Sequence, residues 1–141
     1  MSRQPTRFMG VKFAFLAAFW ILLVFSAGCR TQDERLLEPT AALELMRSNR
    51  NNAAFVILDV RTSGEFRQGY IEGAVLLDYH AADFRERFAE LDRSATILMY
   101  CRSGNRSSHA LRMADELGFE RVYDLRGGIL AWKEAGLPLV R

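Results

Sequence analysis

The chain has 141 residues with 19 basic and 17 acidic side chains, room for one domain plus an N-terminal appendage. Three of the basic residues precede Cys29, so the remainder holds 16 basic against 17 acidic residues. That near-neutral balance excludes a basic nucleic-acid surface.

The appendage comes first in chain order. Arg3, Arg7 and Lys12 form a basic start, and residues 13–27 (FAFLAAFWILLVFSA) carry no charge. This run falls short of the roughly 20 residues that span a bilayer and suits the core of a signal peptide. Without an Arg-Arg pair the general secretory route is expected, and the aromatic residues of the run belong to the export signal. It ends Ser26-Ala27-Gly28-Cys29, which resembles a bacterial lipobox, although Ser26 stands where that family usually has Leu. The resemblance implies cleavage before Cys29 and lipidation of its thiol, with an uncleaved signal-anchor or a chance cysteine as alternatives. Arg30 in place of Asp favours outer-membrane sorting. The expected organisation is a signal peptide over 1–28, a polar tether over 29–38 and a folded domain over 39–141, lipid-anchored at the extracytoplasmic face of a bacterial envelope. If Cys29 carries lipid, Cys101 has no partner cysteine, and a lone thiol in an oxidising compartment must be buried or used.

Within the domain, Thr40 is a candidate cap for a helix over 41–48 with Leu43 and Met46 at helical spacing. Four apolar runs read as strands: 55–58 ending at Asp59, 74–77, 96–100 and, more weakly, 121–125. Continuous apolar runs suit strands buried on both faces, as in a parallel sheet. Between them, 80–91 places Phe84, Phe88 and Leu91 on one helical face. The stretch 107–118 does the same with Ala110, Leu111, Ala114 and Leu117 before stopping at Gly118. The expected class is therefore α/β, a mostly parallel sheet with helices on both faces. About 100 residues can bury a core without disulfides.

The stretch YCRSGNRSS, residues 100–108, puts Cys101 at the C-terminal end of a strand, the edge where open α/β sheets bind ligands. Arg102, Ser103, Gly104, Asn105 and Arg106 form a turn that can aim successive N–H groups inward as an anion nest. A helix starting near Ser107 adds its partial positive charge, and the two arginines add whole ones. Each favours thiolate over thiol and is expected to pull the Cys101 pKa down from about 8.5 toward neutrality. The alternative is a buried strand-end thiol, and spacing leaves the two open.

Residues 101–107 (CRSGNRS) resemble the active loop of the rhodanese family of sulfurtransferases. Leu58-Asp59-Val60-Arg61 with Glu65-Phe66, then residues 69–74 (GYIEGA), then Leu125-Arg126-Gly127-Gly128 with Trp132 resemble further family elements, in the family's order. Tyr70 and Glu72 depart from the usual His and Pro. The resemblance implies a rhodanese-like fold over residues 39–141, with Cys101 as nucleophile and sulfur carrier and residues 102–106 as the substrate cradle. It also implies a small anionic donor such as thiosulfate and an acceptor that is a thiol, cyanide or a thioredoxin-like protein. No metal or organic cofactor is implied. Alternatives are a binding module of the same fold that handles no sulfur, and a cysteine-dependent phosphatase or arsenate reductase. The latter use a loop one residue longer, Cys-x5-Arg, where this chain has Cys-x4-Arg; one residue adds at most about 3.5 Å.

Asp59 and Arg61, two apart, point the same way; the family's use of this pair to brace the loop stands beside a plain strand-end ion pair, and neither residue is placed in the catalytic set. His80 and His109 are expected at the surface, since metal binding wants more ligands close together. Gly127-Gly128 is expected as a tight bend where loops pack, and Trp132 as core.

Overall fold

The computed structural model describes residues 34–141; the expected export signal and the first half of the tether, Cys29 included, lie outside the described residues. Among the described residues, five strands form one sheet: β1 (Leu36–Leu37), β2 (Phe55–Asp59), β3 (Ala74–Leu76), β4 (Thr96–Tyr100) and β5 (Arg121–Leu125). Every pairing is parallel and the order is β1-β5-β4-β2-β3. The helices are α1 (Pro39–Ser48), α2 (Ser63–Arg67), α3 (Phe84–Ala89), α4 (Asn105–Glu116) and α5 (Gly128–Glu134). None of them is long and apolar enough to cross a membrane.

The apolar runs are continuous because alternate residues enter two different cores. Leu58, Ile97, Met99 and Val122 pack on one face with Phe84 and Phe88 of α3 and with Ala110, Leu111 and Ala114 of α4. Ile57, Leu98, Tyr100 and Leu125 pack on the other face with Ala42 of α1 and with Ile129 and Trp132 of α5. Each such side chain taken fully out of water contributes about 1.5–3 kcal/mol. The α/β class expected from the sequence, with helices on both faces, is what the chain adopts.

Boundaries differ where local chemistry outweighs periodicity. The cap of α1 is Glu38 rather than Thr40, because Pro39 sits in the first turn, where its missing N–H is not needed. Helix α3 begins at Phe84 and not at His80: the Asp78 carboxylate accepts the His80 N–H at 2.9 Å and its carbonyl accepts that of Ala81 at 3.0 Å, which makes a turn of residues 78–81. The stretch expected to be a tether includes Leu36–Leu37, which pair with β5 through Asp124 N–H to Arg35 O and Arg126 N–H to Leu37 O, both 2.8 Å.

Candidate active site

Cys101 follows β4 directly, and the parallel sheet brings the ends of β2, β4 and β5 to the same edge. Gly104 takes a left-handed conformation, φ +96°, and caps α4. That turn curls the backbone over the cysteine, so the Gly104 N–H donates to Sγ at 3.1 Å and the Ser107 hydroxyl lies 3.5 Å from it. The residue is 1% exposed. Burial alone pushes the thiol up. The Ser107 hydroxyl and the amides of Ser107, Ser103 and Gly104 pull it down more strongly, and the net pKa lies below the ordinary thiol value. Of the alternatives the sequence left open, burial does not isolate the thiol: the residue borders an apolar core while its sulfur meets polar donors.

The arginines do not share a role. Arg106 is held in a two-pronged ion pair with Glu65 at 2.8 Å on each arm, which keeps the Glu65 carboxyl down at about 2. The Arg106 pKa is raised, chiefly by Glu65 and secondarily by Cys101. Glu65 is fixed by a capping box, accepting from the Thr62 N–H at 3.0 Å while its own N–H donates to Thr62 Oγ1 at 3.3 Å. Arg102 is exposed, and its guanidinium has no partner among the described residues. Ser103 and Gly104 supply amides to the sulfur. Asn105 is exposed and gives its carbonyl to the Ser108 hydroxyl at 2.7 Å.

A second loop locks the first. Gly127 and Gly128 both have positive φ and start α5. The next two amides donate to the reactive loop, Ile129 N–H to Cys101 O at 2.9 Å and Leu130 N–H to Arg102 O at 3.1 Å. Gly128 packs so tightly that a Cβ there would lie 2.5 Å from the Cys101 carbonyl oxygen. The bend is therefore a clamp on the cysteine loop, and its helix, too short to show a period, escaped the sequence pattern.

Asp59 and Arg61 form a buried ion pair, Arg61 Nη2 to Asp59 Oδ2 at 2.6 Å, and Arg61 also donates to Gly69 O at 2.9 Å. Tyr100 joins them, its hydroxyl accepting the Ile71 N–H at 3.2 Å and its phenol pushed up by burial and by Asp59. These contacts brace residues 69–71 against the strand ends. Tyr70, one of the departures from the family pattern, stacks on Phe66 with ring centroids 4.0 Å apart, and Glu72 is exposed. His80 and His109 are exposed, and Trp132 is core. A cavity of about 770 Å³ beside Leu43, Met46, Phe55 and Gly73 lies away from Cys101 and contains no nucleophile.

Sequence reasoning passed over three residues at this site. Ser107 was seen as the start of a helix, whereas its hydroxyl also touches the sulfur. Glu65 had a signal of its own, since Thr62-x-x-Glu65 is a capping-box pattern. Asp124, buried in β5 beside Ser107, left no signal in a strand pattern.

A family profile described as a rhodanese-like domain matches residues 40–135. Among relatives, a sulfurtransferase of Allochromatium vinosum is 40% identical over 85 residues, covering 60% of this chain and 78% of that protein. The probable adenylyltransferase/sulfurtransferase MoeZ of Mycobacterium tuberculosis is 34% identical over 82 residues, 58% of this chain but 21% of that protein. A tRNA uridine(34) hydroxylase of Cytophaga hutchinsonii is 39% identical over 80 residues, 55% of this chain and 26% of that protein. The chain thus spans about a quarter or less of these last two. Among solved structures, a rhodanese-related protein from Thermoplasma volcanium matches with a TM-score of 0.63 at 29% identity, covering 75% of this chain and 97% of that one.

Proposed function

Because the chain belongs to the family of rhodanese-like domains, we propose that it is a sulfurtransferase in which Cys101 carries sulfane sulfur as a persulfide. The observation that carries this reading is the convergence of the Ser103, Gly104 and Ser107 donors on the Cys101 sulfur. Donors aimed at a sulfur stabilise it as a thiolate before reaction and as a terminal persulfide anion after it.

The thiolate attacks the outer sulfur of a donor such as thiosulfate. A Cys–S–S bond forms, the sulfur–sulfur bond of the donor breaks, and sulfite departs with that bonding pair. An acceptor thiolate or cyanide then attacks the terminal sulfur, and the Cys101 thiolate is released. Both steps are displacements at sulfur with a stable anion leaving, so neither needs a general acid. Arg102, exposed and without a partner among the described residues, is placed to meet an incoming dianion. Arg106, neutralised by Glu65, serves mainly to fix the first turn of α4. The short Cys-x4-Arg loop suits one sulfur atom better than a whole phosphoryl group.

The same reading puts the domain at the extracytoplasmic face of the envelope, tethered through lipid on Cys29 and passing sulfur to a thiol such as a thioredoxin-like protein. Labelling with palmitate, compared with Cys29→Ala, tests the tether. For the chemistry, freshly reduced protein is incubated with thiosulfate and its intact mass measured. A gain of one sulfur atom, removed by cyanide and absent in Cys101→Ser, supports the transferase. An unchanged mass with Cys101 still reduced refutes it and leaves a binding module. Hydrolysis of an aryl phosphate blocked by vanadate would refute it in favour of a phosphatase.

A further inference from the structure

The Ser107 hydroxyl has a single hydrogen and three acceptors around it. Sγ of Cys101 is 3.5 Å away and the Gly104 carbonyl 3.3 Å, and the Asp124 carboxyl is near enough for this hydroxyl to pull its pKa down. Asp124 is 1% exposed, and its Oδ1 has no hydrogen-bond partner among the described residues. It is the register partner of Met99, two residues before Cys101 on the adjoining strand. A buried acid with an idle oxygen, one hydroxyl away from the nucleophile, has no part in the chemistry described so far.

We propose that Asp124, acting through the Ser107 hydroxyl, is a positioning residue that sets how many donors hold the Cys101 sulfur, the thiolate being held best while Asp124 keeps its proton. A protonated Asp124 donates to Ser107 Oγ, leaving the serine hydrogen for the sulfur. An ionised Asp124 takes that hydrogen for itself and adds a negative charge behind the thiolate. Carboxyl and thiol are then a coupled pair that shares one negative charge around neutrality. Burial supports this by pushing Asp124 up to about 7, against the pull of the Ser107 hydroxyl and the Leu125 amide. Other charged groups on the elements packed against β5 are paired or exposed. Arg35, preceding β1, is bound to Asp115 of α4. Arg106 of α4 is bound to Glu65, and Arg126 to Glu38. On α5, across the sheet, Lys133 and Glu134 are exposed.

The inference rests on Cys101 working as a thiolate, and its test uses no sulfur donor, so it stands apart from the test of sulfur transfer. Alkylation of Cys101 by iodoacetamide is followed in the whole protein from about pH 5 to 10, a range that covers carboxyl and thiol. Wild type is expected to give a shallow two-step profile. Asp124→Asn, neutral and still able to donate to Ser107, is expected to give one steep step and alkylation about threefold faster at pH 7, the effect of half a pKa unit of like-charge repulsion removed. Superimposable profiles would overturn the proposal, whereas a structural role alone would change stability without changing the shape of the profile. A second measurement needs no variant: the carboxyl carbon resonance of Asp124 is titrated before and after Cys101 is alkylated. Its midpoint is expected to fall once the thiolate is capped. A midpoint that stays put, or a carboxylate ionised throughout, also overturns it.

Discussion

Replacing Gly128 by Ala tests whether the α5 turn holds the reactive loop. Gly128 has φ +59°, so alanine takes a left-handed conformation costing about 1–2 kcal/mol. The added Cβ would lie 2.5 Å from the Cys101 carbonyl oxygen and 2.7 Å from the Arg102 carbonyl carbon and oxygen. All three are backbone atoms, so no rotamer change relieves the overlap, and overpacking of this kind costs about 1–3 kcal/mol. Moving the loop away weakens the bonds from Ile129 and Leu130, each worth about 1 kcal/mol. Together these give a loss of about 3–5 kcal/mol. Gly118→Ala is the internal control: its φ is +80°, but nothing lies within 4 Å of its Cβ position, so only the backbone cost of about 1–2 kcal/mol applies. Urea unfolding of both variants, with sulfur loading from thiosulfate measured on the same samples, reads the difference. If Gly128→Ala falls within about 1 kcal/mol of Gly118→Ala and loads sulfur normally, the clamp does not exist.

Glu65→Gln removes the anchor of Arg106 and is expected to destabilise the fold by about 1 kcal/mol at pH 7, the pair being only partly screened by solvent. The folded pKa of Glu65, about 2, lies below its ordinary 4.5, so its contribution is full above pH 4.5 and disappears as pH falls toward 2. Urea midpoints are expected to drop across that window more steeply in wild type than in the variant; parallel slopes would remove the ion pair from the account. Arg61→Met leaves Asp59, which is 0% exposed, as an uncompensated buried charge, and the expected loss is about 3–5 kcal/mol by chemical unfolding. Unchanged stability with a raised KM for thiosulfate would instead make Arg61 a substrate contact.

The strands that sequence reveals are those with a continuous apolar run, whether both faces are buried or, as in β3 at the sheet edge, Val75 stays exposed. Residues 96–100 and 121–125 read correctly to the residue because every position but the first or two is apolar or enclosed. Strand β1 hides because two residues have no period and their neighbours are charged; it exists through its bonds to β5. The Cys101 loop was legible because its donors are contiguous in sequence, so their convergence follows from one turn. The partners that finish the site are not contiguous. Glu65 meets Arg106 across 41 positions, and Asp124 reaches Ser107 only once β4 and β5 are in register. Such pairings are products of topology, and a single chain's residue pattern carries no mark of them.

A sheet whose strands all run one way has two rims of unlike tolerance. Foreign peptide grafted among the exposed residues 50–54, where the chain enters β2, would emerge on the rim opposite Cys101 and leave the nucleophile's surroundings intact. One residue spliced in between Leu125 and Ile129 would slide the amide now seated on the Cys101 carbonyl out of reach. For attaching a reporter or fusing a partner, the former rim is the permissive one.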